Sequence, residues 1–198
     1  MDSLSTPFRL VVDPSMTGMN LILAKGESKV QSLHEIILRN RTKRFAWSSD
    51  ISKMYNCLHL NESALPYSLF LFHDEMDSSA LPDVYVMLVA WYGVVPTGNQ
   101  AGYAIEVIAN SASEDMLDAK SVLIEERYVD DIFAGAHTPE SRESQVGQVS
   151  ELLAKGGFKL KFVARSGEAP CEKASDNGKD MKVLGYTWTT VKAVSYTH

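Results

Sequence analysis

The stretch EERYVDDIFAGA, residues 125–136, constrains the fold more than any other part of the chain. Asp130 and Asp131 stand side by side between Tyr128-Val129 and Ile132-Phe133, inside a β-prone apolar segment. Strands disfavour Asp, and adjacent carboxylates repel each other and lose hydration when partly buried. On a flat strand neighbouring side chains point to opposite faces, so a turn at Val129-Asp130-Asp131 is needed to bring both acids to one place. A tight turn or a divalent cation stabilises such a pair. A pair of aspartates at a hairpin is also ordinary turn chemistry, and on these residues alone that alternative stays open.

Around this stretch the chain alternates between two kinds of periodicity. FRLVVD (8–13) reads as a strand, and KVQSLHEIILRN (29–40) carries Val30, Leu33, Ile36 and Ile37 at helical spacing. RFAWSSDI is a strand ending near Asp50, while YSLFLFHDE and DVYVMLVAW read as two strands joined by a polar turn near residues 77–82. NQAGYAIEVIANSASEDML reads as a helix, and KSVLIEERYVDDIFAGA as two strand-like halves flanking the aspartates. In TPESRESQVGQVSELLAKGG, Thr138 suits an N-cap, Pro139 the first helical position and Gly156 the C-terminus, with Val146, Val149, Leu152 and Leu153 as the apolar stripe. FKLKFVA and KVLGYTW add two terminal strands, and residues 166–180 read as a mobile loop. The expected class is α+β, an antiparallel sheet with helices packed against one face.

At 198 residues, with 45% hydrophobic and 22% charged, the chain can bury the core of one globular domain. No apolar run approaches the ~20 residues of a membrane span. The start, MDSLSTPFRLVVD, lacks the basic region of a signal peptide, so the expected location is intracellular, cytoplasm and nucleus undistinguished. Cys57 and Cys171 are far apart and have no CxxC or His-rich company, which argues for thiols in a reducing compartment and against zinc. A net charge of −6 argues against a general nucleic-acid binder. Positive charge is nevertheless concentrated in RNRTKR (39–44) and KGGFKLKFVAR (155–165), for which a solvated face is the plain reading.

Asp50 also ends an apolar strand, in WSSDISKMY, and is the natural third carboxylate. Hard carboxylate oxygens suit Mg²⁺, and two cations about 4 Å apart clamp in-line phosphoryl displacement. The alternative for Asp50 is an N-cap on the segment that follows.

YVDD followed by IFAG resembles the metal-binding motif of reverse transcriptases. From FRLVVD to VLGYTW the landmarks fall in the order found in the Bel/Pao retrotransposon group, over nearly the whole chain. The resemblance implies an antiparallel palm-type sheet with partial fingers (about residues 1–45) and no thumb, working as an RNA-directed DNA polymerase with two Mg²⁺ (or Mn²⁺) ions. It implies Asp50, Asp130 and Asp131 as catalytic metal ligands, together with the backbone carbonyl of Ile51. Arg9 matches the residue that holds the incoming triphosphate, and Tyr55 the side chain beneath its sugar. VVPTGNQAGYA (94–104) matches the loop and helix under the nucleotide, with Gly98, Asn99 and Gln100 in contact. Lys159 or Lys161 matches the cation near the pyrophosphate, with Lys161 taken as the nucleotide-binding residue. Tyr128 and Val129 are implied at the primer or template, and Leu184, Gly185 and Tyr186 as the primer grip.

The implied partners are a primed RNA or DNA template, dNTP, and further polymerase domains or a partner chain supplying fingers and thumb, with no membrane. Only eight residues precede Arg9 and the chain stops just past the primer grip, so weakened template–primer binding is expected. The alternative function is an element-derived palm of little or no turnover, kept as a nucleic-acid- or protein-binding module. A metal-dependent nuclease or unrelated phosphotransferase is a third reading.

Overall fold

A computed structural model of the chain describes residues 13–14, 16–73, 81–169 and 180–190. The chain groups into two compact units, one running to Gly26 and resuming at Tyr55–Thr97, the other made of Glu27–Met54 and the residues from Gly98 onward.

The second unit holds the central sheet. Its strands are β1 (Phe45–Ile51), β4 (Arg127–Tyr128), β5 (Asp131–Ala136) and β6 (Leu160–Arg165), in the antiparallel order β4-β5-β1-β6. β5 is interior, which is why IFAGA can be a continuous apolar run: Ile132 and Ala134 are fully buried on one face, and Phe133 is largely buried on the other. Edge strand β4 is only two residues long, which leaves little open backbone for unwanted pairing.

Side-chain alternation sorts the sheet into two faces. Trp47 lies opposite Ala134, and its indole N–H donates to Gln145 Oε1 at 2.7 Å, so helix α5 (Pro139–Lys155) covers that face. Thr138 caps α5 by accepting the Ser141 N–H, and Val149, Leu152 and Leu153 are fully buried, as their spacing predicts. Beside α5 runs α4 (Leu117–Glu125), buried through Ala119, Val122 and Leu123. Here the expected strand half at KSVLIEER is mostly helix. The β-prone Val122-Leu123-Ile124 run yields because Ala119, Val122 and Leu123 also fall on one helical face, and packing decides between the two readings.

On the opposite face Phe133 and Ala164 form a core cluster with Ile36 of α2 (Leu33–Arg41) and with Met181, Val183 and Trp188. The last three come from β7 (Met181–Val183) and β8 (Tyr186–Trp188), an antiparallel hairpin. KVLGYTW is therefore a hairpin and not one strand, because Leu184 (φ 53°) and Gly185 (φ 80°) both take positive φ, the pattern of a type I′ turn. Asn40 ties α2 to the sheet by donating to the Phe133 carbonyl. Helix α3 (Thr97–Asn110) buries Ala101, Ile105 and Ala109 completely. Gly102 is needed where the Lys29 segment crosses it, since a Cβ there would sit 2.6 Å from Lys29 Cβ.

The first unit contains α1 (Met19–Ile22) and the antiparallel hairpin of β2 (Leu69–Phe72) and β3 (Asp83–Val86), as expected for residues 67–91. Phe70 packs on Tyr85 and Trp91 with ring centroids 5.8 and 5.7 Å apart. Asn20 braces its loop by donating to the Gly93 carbonyl and accepting the Val95 N–H, both at 3.0 Å. The strand expected at residues 8–13 lies, except for Asp13, outside the described residues, as do 170–179 of the expected loop. No helix among the described residues is long and apolar enough to cross a membrane.

Candidate functional site

Register brings the carboxylates together. β1 and β5 pair so that Asp50 lies directly opposite Asp131. The Ile51 N–H donates to the Asp130 carbonyl at 2.8 Å, making Ile51 and Asp130 the hydrogen-bonded pair. Asp50 and Asp131 are thus the adjoining non-hydrogen-bonded pair, the kind whose Cβ atoms come closest, at about 4.5–5.5 Å. Both side chains fall on the face that carries Phe133, and both residues are half-buried. Asp50 is a strand residue, not the start of a helix.

The turn before this pair is tighter than expected. Tyr128 pairs with Asp131, so only Val129 and Asp130 form the loop, and Asp131 is already in β5. Val129 has φ 55°, and Asp130 is not among the positive-φ residues, the pattern of a type II′ hairpin turn. That position normally takes Gly. A β-branched residue there stores about 1–3 kcal/mol of backbone strain.

On the other side of β1 the ladder shifts. Ser49 pairs with Val163 and Ile51 with Leu160, so Asp50 faces both Lys161 and Phe162 across a β-bulge. Ser49 Oγ donates to the Phe162 carbonyl and Ser52 N–H to the Lys159 carbonyl, fixing both ends of the irregularity. Bulges of this kind re-aim side chains. Lys159 and Lys161 are both exposed, but the register sets only Lys161 across from Asp50.

The β7–β8 hairpin sits on the carboxylate face. Trp188 packs edge-on against Phe133 with centroids 5.5 Å apart, and Phe133 follows Asp131 on that face. Leu184 is partly buried against the core cluster, while Gly185 and Tyr186 stay exposed.

The remaining candidates are spread more widely. Arg9 lies outside the described residues. Tyr55 belongs to the first unit, where its ring meets Tyr92 edge-on at 4.9 Å. Gly98, Asn99 and Gln100 lie in the first turn of α3, and Asn99 Oδ1 accepts the Lys29 N–H at 3.4 Å. Tyr128 is exposed on the edge strand and Ile51 is buried.

Two charged residues beside the site had no role in the sequence reading. Arg127 is 5% exposed, and its guanidinium donates to the carbonyls of Leu123 and Val129. Glu126 is 7% exposed, and its Oε2 has no hydrogen-bond partner. Burial pushes the Glu126 carboxyl above the usual range, opposed by the charges of Lys43 and Arg39. The basic run 39–44 is partly engaged: Arg39 pairs with Glu35 and Glu125, and Arg44 lies over the Phe45 ring.

In donor chemistry three carboxylates on neighbouring backbone fit a hard divalent cation. Among the described residues, however, no three His, Cys, Asp or Glu side chains are already gathered to hold a metal ion. The assembled part is the Asp50–Asp131 pair, with Asp130 set back in the turn.

No family model and no curated protein matches the chain. Its fold is nevertheless similar to solved structures of the protease-reverse transcriptase of prototype foamy virus. One aligns over 100% of this chain with a TM-score of 0.65 at 15% identity. A foamy viral protease-reverse transcriptase in complex with RNA/DNA hybrid aligns over 92% with a TM-score of 0.64 at 16% identity. One in complex with double-stranded DNA aligns over 92% with a TM-score of 0.63 at 17% identity. The chain spans 23%, 21% and 27% of those chains. The fold is thus reverse-transcriptase-like.

Proposed function

We propose that this chain is the palm region of an RNA-directed DNA polymerase of the Bel/Pao retrotransposon type, joining a dNTP to a primer 3′-hydroxyl. The observation that carries this reading is the placement of Asp50 opposite Asp131, beside the strained Val129-Asp130 turn, in a reverse-transcriptase-like fold. Like charges directly opposite in a sheet are destabilising, and a cation shared between them offsets that cost. Asp50, Asp131 and Asp130, with the Ile51 carbonyl, are the residues that would hold Mg²⁺ or Mn²⁺. Two such ions would supply Lewis acidity for the 3′-oxygen and charge neutralisation at the leaving pyrophosphate. Lys161, across from Asp50, adds positive charge for the triphosphate. The exposed tip at Gly185-Tyr186 offers the primer a surface on the carboxylate face, and Tyr128 offers a further contact. Gly98, Asn99 and Gln100 are further candidates for nucleotide contact in this reading, and Arg9 and Tyr55 keep the roles that the family resemblance implies.

The foamy viral relatives in complex with RNA/DNA hybrid and with double-stranded DNA support a primed template as the partner. A second reading, a palm kept as a binding module with little turnover, is favoured by the absence of a ready three-ligand group among the described residues. Primer extension on poly-rA/oligo-dT with Mg²⁺ or Mn²⁺, beside calorimetric metal titration, separates the two. Metal-dependent extension abolished by Asp130→Ala supports the polymerase; metal binding without extension supports the module.

A further inference from the structure

Arg127 carries a charge that nucleotidyl transfer does not use, in a place where a charge is costly to bury. Its Nε–H donates to the Leu123 carbonyl in the last turn of α4 at 3.2 Å, and its Nη1–H donates to the Val129 carbonyl. A guanidinium is a rigid planar fork, so two carbonyls bonded by one fork are held at a set separation. The first carbonyl is anchored, because Ala119, Val122 and Leu123 of α4 are all buried. The second belongs to the residue at φ 55°. The peptide bearing that carbonyl also carries the Asp130 N–H, so any change of turn type rotates this peptide and moves Asp130 with it.

We propose that Arg127 is a positioning residue: it clamps the Val129 carbonyl to the end of α4 and so holds the turn in the strained form that fixes Asp130 where the chain enters β5, just ahead of Asp131. Its effect on rate rests on the polymerase reading; the clamp itself does not. Sidedness supports the assignment. The Asp130 carbonyl is bonded to Ile51 on β1 and the Val129 carbonyl to Arg127, so the two carbonyls of the turn are gripped from separate elements.

The test is a double-mutant cycle on the 198-residue chain with Arg127→Ala, Val129→Gly and their combination. Glycine adopts positive φ without strain, so it removes the need for a clamp. Arg127→Ala is expected to lower kcat for primer extension about 30- to 100-fold, with the dNTP KM changed less than about threefold. In the Val129→Gly background the same replacement is expected to cost less than about fivefold. An equal loss in both backgrounds overturns the proposal. If Arg127→Ala does not fold, Arg127→Lys is compared in the two backgrounds by the same criterion. If the unaltered chain extends no primer, the polymerase reading falls and the clamp is read from urea midpoints instead. A smaller loss of stability in the glycine background then supports it, and an equal loss overturns it.

Discussion

Replacing Asp131 by Asn separates a metal ligand from a structural acid, because the two roles predict opposite changes in stability. Asn keeps the shape and removes the charge. In chelator, the pair Asp50–Asp131 places two carboxylates on one face of adjacent strands. At about 5 Å the bare Coulomb term runs from ~0.8 kcal/mol in water to ~3 kcal/mol at an effective dielectric near 20. Measured cross-strand pairs lie at about 0.2–1 kcal/mol, and both acids are half-buried, so ~1 kcal/mol is the expected relief. A chain of this size shifts by about 2–4 °C per kcal/mol, so Asp131→Asn should melt about 2–4 °C higher than the parent in chelator. Magnesium reverses the order. At ten times its dissociation constant a ligand stabilises by about 1.4 kcal/mol, raising the parent by about 3–6 °C and the variant far less. Differential scanning calorimetry with and without Mg²⁺ measures all four midpoints, and primer extension should fall at least about 100-fold. If Asp131→Asn instead melts several degrees lower in chelator, the carboxylate is a structural partner and the argument from charge opposition is wrong.

Three further outcomes follow from single contacts. Burial raises the Glu126 carboxyl above its ordinary 4.5, so the stability tied to its protonated form is full below that value and is lost as pH rises through the folded pKa. Urea midpoints of Glu126→Gln should therefore vary less than the parent's above pH 4.5 and be equal or higher at pH 8, with Glu126→Ala controlling for packing. Thr138→Ala removes the cap on the Ser141 N–H and should cost about 1 kcal/mol in the same assay without altering metal binding. Lys161→Ala should raise the dNTP KM severalfold and Lys159→Ala much less, since only Lys161 faces Asp50; equal effects in steady-state kinetics would discard the register argument.

What could be read from the sequence was what local pattern alone decides. α5 was visible because Thr138, Pro139 and the 146-149-152-153 stripe all agree, and β1 because an apolar run ends at Asp50. The nearness of Asp50 to Asp131 was legible only as two acids closing two strands; the pairing that sets them opposite is a long-range fact. Residues 120–125 were misread as strand because a short Val-Leu-Ile run satisfies both periodicities until a neighbour is chosen, and α5 makes that choice. The Leu184-Gly185 turn lacked the usual Asn-Gly signal, and Leu184 is held there by its contact with the core. Arg127 and the bulge opposite Asp50 left no trace, since both depend on main-chain carbonyls, which every residue has.

The positions of backbone strain tie these observations together. Among the described residues, the non-glycine residues at positive φ are Lys53, Val129 and Leu184. Lys53 follows the end of β1 just beyond Asp50, Val129 precedes Asp130, and Leu184 turns the hairpin that packs on Phe133. Glycine would relax each of them, since it adopts positive φ without strain. A valine forced into the turn has few alternatives, so once the core has formed it is stiff. That core stands directly behind it, in the fully buried Ile132 and Ala134 and the Ile51–Asp130 ladder bond. A two-residue turn is also the length that keeps Asp131 in register with Asp50, since one more residue would shift β5 and send its acid to the other face. Strain at Val129 is therefore the structural consequence of joining β4 to β5 in two residues while Asp131 stays opposite Asp50.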